Sequence, residues 1–168
     1  MLTSISGFHA SLVGAGGAGR AVACALMDLG AATVIVHDTD VARASAMVAD
    51  FMLLFGAGRF RLSEGLVKAM AGAAGIVNAT PVGMTGFVGN PVPVDTIGAS
   101  HWVADIIYSP IETELLTAAR SKGARSMNGG GMCVHQAAEA FALFTSNLPD
   151  VERMHRAFAS ALSTRDVA

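Results

Sequence analysis

A doubly wound α/β domain, a parallel sheet with helices packed on both faces, is the fold class the sequence predicts, and three observations predict it. Short β-branched apolar runs alternate with longer stretches of helical periodicity along most of the 168 residues. One run, ATVIVHD (residues 32–38), is apolar almost without interruption, as a strand buried on both sheet faces must be. The turn GAGGAG (residues 14–19) stands between the first such run and the first helical stretch. Strands joined through helices require right-handed crossovers, and therefore parallel pairing.

The elements follow in order. SLVG (residues 11–14) ends the first strand, and residues 17–29 read as a helix, with Ala21, Ala25 and Leu29 at four-residue spacing and Gly30 placed to end it. After the strand at 32–38 comes a helix over about 40–55, then RFRL (59–62) as a short edge strand and SEGLVKAMAG as a short helix starting at Ser63. AGIVNAT (74–80) is the next strand, opening into a Gly- and Pro-rich loop that runs to about Pro93, and HWVADIIY (101–108) is another. The following helix has a local start signal: Ser109 as cap, Pro110 in the first turn and Glu112 as the capping-box carboxylate, with Lys122 and Gly123 to close it. ARSMN (124–128) gives a last strand, Gly129, Gly130 and Gly131 a flexible junction, and residues 132–146 a helix. Pro149 and Asp150 separate that helix from a final one reaching about Leu162. The expected organisation is one domain over 1–168, with a core at about 9–130 and two C-terminal helices at about 131–163.

Composition narrows the function classes. Hydrophobic residues make up 52% of the chain and charged residues 14%, so part of the surface is expected to be apolar and covered, by a further domain or a second copy in a homodimer. No apolar run approaches the length of about 20 that a membrane helix needs. The start MLTSISGFHA lacks the basic and apolar regions of a secretion signal, which leaves the cytoplasm as the expected compartment. Cys24 and Cys133 fall in no metal-ligand pattern and read as reduced structural thiols, and the five histidines lack zinc spacing, so no metal is expected. A net charge of −2 without a basic cluster argues against nucleic acid as a partner.

The chemistry sits in the glycine turn. Gly14, Gly16 and Gly19 have the G-x-G-x-x-G spacing, with Ala15, Gly17 and Ala18 between them: the first glycine permits the turn, the second leaves room for a pyrophosphate, and the third lets helix and strand pack closely. The helix that opens there offers free N–H groups to phosphates. Asp38 ends the next apolar strand, about where an acid accepts the hydroxyl protons of a ribose. Together these predict a Rossmann-like dinucleotide site, against the alternative of a tight turn with no ligand. Asp38, Thr39 and Asp40 would set two carboxylates against a 2′-phosphate, which favours NAD over NADP. Arg43, a turn further on, reads as a solvated charge on a helix face.

Three further segments, VNATPVGM (77–84), DIIYSPIETELLTAARSKGA (105–124) and GGGMCVHQAAEAFALFTSNLPD (129–150), follow GAGGAGRA (14–21) in fixed order. With it they resemble the cofactor domain of the shikimate and quinate dehydrogenase family over nearly the whole chain. The resemblance implies that Asn78, Thr80 and Pro81 lie beside the cofactor and that Ile106, Gly129 and Met132 lie near the nicotinamide. It implies that Tyr108 and Gln136 reach the hydroxyl and carboxylate region of a cyclic hydroxy acid such as shikimate or quinate. NADP-dependent members carry Asn-Arg-Ser/Thr where this chain has Asp38, Thr39 and Asp40, so the NAD-preferring branch is the expected one. His135 adjoins Gln136, but adjacent helix residues diverge in direction and the resemblance gives it no catalytic role. Members of the family carry their catalytic Lys and Asp pair on an N-terminal domain, so no catalytic residue is expected among these 168 residues, and the isolated chain is expected to bind cofactor and turn over poorly or not at all. Two other readings stay open: a dinucleotide-binding sensor without turnover, and an S-adenosylmethionine-dependent methyltransferase, against which the glycine spacing argues.

Overall fold

A computed structural model of the chain describes residues 7–165; residues 1–6, part of the stretch read for a secretion signal, lie outside the described residues, as do the last three. Six strands form one sheet: β1 His9–Val13, β2 Thr33–His37, β3 Phe60–Leu62, β4 Gly75–Asn78, β5 Trp102–Asp105 and β6 Arg125–Met127. Every pairing is parallel and the order is β3-β2-β1-β4-β5-β6. The chain therefore winds outward from β1 in one direction, returns, and winds outward again from β4, which leaves a crevice at the carboxyl ends of β1 and β4.

The helices are α1 Gly17–Asp28, α2 Val41–Phe55, α3 Leu66–Ala71, α4 Glu114–Ser121, α5 Gly130–Thr145 and α6 Val151–Arg165. Alternation along each strand divides the core in two. Leu12, Val34, Val36, Val77 and Trp102 join Leu26, Met47 and Phe51 of α1 and α2 on one face. Val13, Ile76 and Val103 join Met70 of α3 and Leu115 and Leu116 of α4 on the other. Among the described residues no helix is long and apolar enough to cross a membrane.

Three helix starts differ from the sequence expectation. The first is α4, which begins at Glu114 with Thr113 as its cap, its hydroxyl accepting from the Leu116 N–H at 3.3 Å. Ser109 is committed elsewhere: its carbonyl accepts from the Thr85 N–H and hydroxyl, fixing the loop after β4. Glu112 pairs with Arg120 instead of closing a capping box. The second is α3, which starts at Leu66 because the Ser63 hydroxyl accepts from the Gly65 N–H in a preceding turn. The third is α5, which starts at Gly130, within the glycines expected as a flexible junction, and there the Asn128 side chain accepts from the Gly130 N–H. Gly129 is held by a close approach, since a Cβ there would overlap the Ile106 carbonyl.

Candidate functional site

The predicted glycine turn lies at the carboxyl end of β1. Gly14 has φ of 106°, and a Cβ on it would come within 2.6 Å of the Ala79 carbonyl oxygen, so both conformation and space require glycine. At Gly19 a Cβ would overlap the carbonyl oxygen of Gly14 and lie 2.9 Å from its carbon. Gly16 caps α1 without a side chain, and Gly17 and Ala18 are exposed in a first turn that carries no acidic residue. The first intrahelical bond is made by Arg20 N–H to Gly16 at 2.9 Å, so the N–H groups ahead of it are free of helix partners and available to an anion.

Asp38 is tied into this turn. Its Oδ2 accepts from the Ala15 N–H and its Oδ1 from the Asp40 N–H, both at 2.8 Å. Each oxygen keeps further acceptor capacity for a ribose hydroxyl. Thr39 and Asp40 are exposed. The Arg43 N–H and guanidinium hold the exposed Asp40 carboxyl below the usual range. Arg43 is thus not the solvated charge the sequence suggested: its Nη2 is 2.9 Å from Asp40 and its Nη1 3.7 Å from Asp38. The spacing of three residues on α2 brings it back over the cap.

Across β1 from Asp38, a cleft of about 560 Å³ opens between the loops that follow β4 and β5. It brings together Ala18, Thr80, Pro81, Ile106, Tyr108 and Met132, six of the predicted residues, from four segments: α1, the loops after β4 and β5, and α5. Tyr108 is 45% exposed, its ring edge to face with Phe158 of α6 at 6.3 Å. Met84, Thr85, Ile107 and Ser109, none of them expected at the site from the sequence, complete the walls with Ala79. Gln136 is exposed one turn beyond Met132 on α5 and is not among the lining residues. His135 faces His155 of α6, with ring centroids 5.5 Å apart.

Asn78 is fully buried and works from beneath the cleft. Its Oδ1 accepts from the Thr80 N–H at 2.9 Å and the Thr80 hydroxyl at 2.7 Å, and its Nδ2 donates to the Val82 carbonyl and to Asp105. Asp105, at the end of β5 and 2% exposed, accepts from Asn78 Nδ2 at 3.0 Å, the Ile107 N–H at 3.1 Å and the Thr113 hydroxyl at 2.8 Å. Burial pushes its carboxyl up, and these three bonds oppose the shift. Neither Asp105 nor Thr113 stood out in the sequence, although a lone acid inside the apolar run HWVADIIY is a signal that could have been read.

No family model matches the chain. Shikimate dehydrogenase (NADP(+)) of Streptomyces avermitilis is 41% identical over 181 residues, which cover 98% of this chain and 62% of that protein. Quinate/shikimate dehydrogenase (NAD(+)) of Corynebacterium glutamicum strain R is 45% identical over 152 residues, 88% of this chain and 53% of that protein. Among solved structures, quinate dehydrogenase from Corynebacterium glutamicum in complex with NAD matches with a TM-score of 0.86 at 42% identity, covering 91% of this chain and 55% of that one. The chain spans a little over half the length of these relatives. It belongs to the shikimate/quinate dehydrogenase family and corresponds to the family's C-terminal Rossmann-like part.

Proposed function

We propose that this chain is the NAD-binding part of a dehydrogenase that moves a hydride between a nicotinamide and the C–OH/C=O carbon of a cyclic hydroxy acid of the shikimate or quinate type. The observation that carries this reading is the glycine turn clamped by Asp38, with a cleft of ligand size on the opposite side of β1. The residues fit the group. Gly14 to Gly19 leave room and free N–H groups for the pyrophosphate, Asp38 and Thr39 lie where the adenosine ribose would, and Thr80, Pro81, Ile106, Gly129 and Met132 border the nicotinamide end. Asn78 serves by shaping the loop under Thr80. The bound nicotinamide supplies the hydride-accepting or hydride-donating carbon; the chain supplies orientation and a dry wall.

Asp38 and Asp40 together disfavour a 2′-phosphate, and NAD is therefore the preferred cofactor over NADP. Arg43 weakens this bias without reversing it, because its guanidinium is committed to Asp40. Tyr108 supplies one substrate wall and Gln136 a second contact further along α5. Among the described residues Tyr108 is the one titratable side chain lining the cleft, and, as the family resemblance implies, the Lys and Asp pair that moves the hydroxyl proton belongs to the substrate domain. The isolated chain is then a poor catalyst or none, and the same observation suits a dinucleotide-binding module without turnover. Phe141, Phe144 and Leu148, exposed on and after α5, fit a face covered by a further domain or a second copy.

Thermal melting with NAD, NADP or S-adenosylmethionine tests the reading. NAD at a hundredfold excess over its Kd should raise Tm by about 5–10 °C, with a smaller shift for NADP. A shift with S-adenosylmethionine alone, or with none of the three, contradicts it.

A further inference from the structure

We propose that Asp105 is a positioning residue that holds the loop after β4 and the loop after β5 at the separation required by the nicotinamide end of the dinucleotide; the proposal rests on the dinucleotide reading above. Asp105 does not line the cleft itself. Its three partners belong to three segments: Asn78 at the end of β4, Ile107 after β5, and Thr113 at the cap of α4. Through Asn78 it reaches Thr80, and through the Ile107 N–H it fixes the backbone that carries Tyr108. Thr80, on the loop after β4, and Ile107, on the loop after β5, both line the cleft.

The chemistry of the partners calls for a carboxylate. The Asn78 amide, the Ile107 N–H and the Thr113 hydroxyl all donate, and the Thr113 oxygen already accepts from the Leu116 N–H, which directs its proton to Asp105. Only an acceptor-only side chain satisfies all three. An apolar residue would fill the same space without burying an acid, so packing alone gives no reason for aspartate here. None of the hydrogen bonds in this network reaches the β1–α1 turn or Asp38, which hold the adenosine side. Asp105 therefore acts on one half of the ligand.

Calorimetric titrations of wild type, Asp105→Asn and Thr113→Val with NAD and with ADP-ribose, which lacks the nicotinamide, read this asymmetry. Asn keeps the shape but turns one acceptor into a donor, so Asp105→Asn should weaken NAD by about tenfold and leave ADP-ribose within about twofold. Thr113→Val removes one donor to Asp105, together with the cap acceptor for the Leu116 N–H, and should shift NAD alone, by less. Retained ADP-ribose binding shows in each variant that the glycine turn is folded; if Asp105→Asn does not fold, Thr113→Val decides by the same ratio. Equal losses for both ligands, or no change in either, would overturn the positioning role. Wild type that binds neither ligand would defeat the dinucleotide reading, and the proposal with it; wild type that binds both beside variants with an unchanged ratio defeats the positioning role alone.

Discussion

Gly16→Ala is expected to leave the melting temperature within about 2 °C of wild type and to weaken NAD binding by about 10- to 100-fold. The two halves of that expectation come from different features of one position. A Cβ on Gly16 meets no atom within 4 Å, and its φ of −75° suits any residue, so the free protein has no reason to object. The same residue caps α1, where a pyrophosphate must approach the backbone to reach the N–H groups of the first turn. A methyl group would occupy that approach. Melting and titration on the same sample separate the effects, and an unchanged NAD affinity would mean that phosphates do not bind at this turn.

Gly19→Ala should behave in the opposite way. Here the added carbon would run into the backbone of Gly14, which has nowhere to go because it is itself packed on Ala79. Separating β1 from α1 enough to admit it should cost about 3 kcal/mol, and lower Tm by about 6–12 °C. Binding would fall with the fold. Gly17→Ala is the control: its Cβ has open space, and its melting temperature should stay at or slightly above that of wild type. A Gly19→Ala protein that melts like wild type would show that the turn is not the close helix–strand contact described.

What was legible in the sequence shares a physical reason. The turn at Gly14 to Gly19 stands out because a positive φ and a close helix–strand approach restrict Gly14 and Gly19 whatever surrounds them, and Asp38 stands out as an acid ending an apolar strand, tied into that turn through the Ala15 N–H. The sheet was legible through apolar runs such as TVIVH, in which Val34 and Val36 enter the core on one face while Ile35 between them stays half-buried on the other. The start of α4 was misread because Ser109, Pro110 and Glu112 form a good local signal that tertiary structure spends differently: the Ser109 carbonyl serves Thr85, and Glu112 serves Arg120. Asp105 and Asn78 stand 27 positions apart, and only the pairing of β4 with β5 makes them neighbours. Arg43 illustrates the same limit at short range. Its position on the helix was clear, but its turn back onto Asp40 and Asp38 depends on how α2 leaves β2.

The measurement that bears most directly on the account is a calorimetric titration of the chain with NAD and NADP in parallel, repeated with NAD on Asp38→Ala. Asp38 accepts from the Ala15 N–H and is the acid proposed above to hold the adenosine ribose, so its removal should weaken NAD by about 10- to 100-fold. Wild type should bind NAD saturably and NADP more weakly, and the variant should lose the NAD preference. NADP binding as tight as NAD, or an Asp38→Ala chain that binds NAD as wild type does, would contradict the NAD reading.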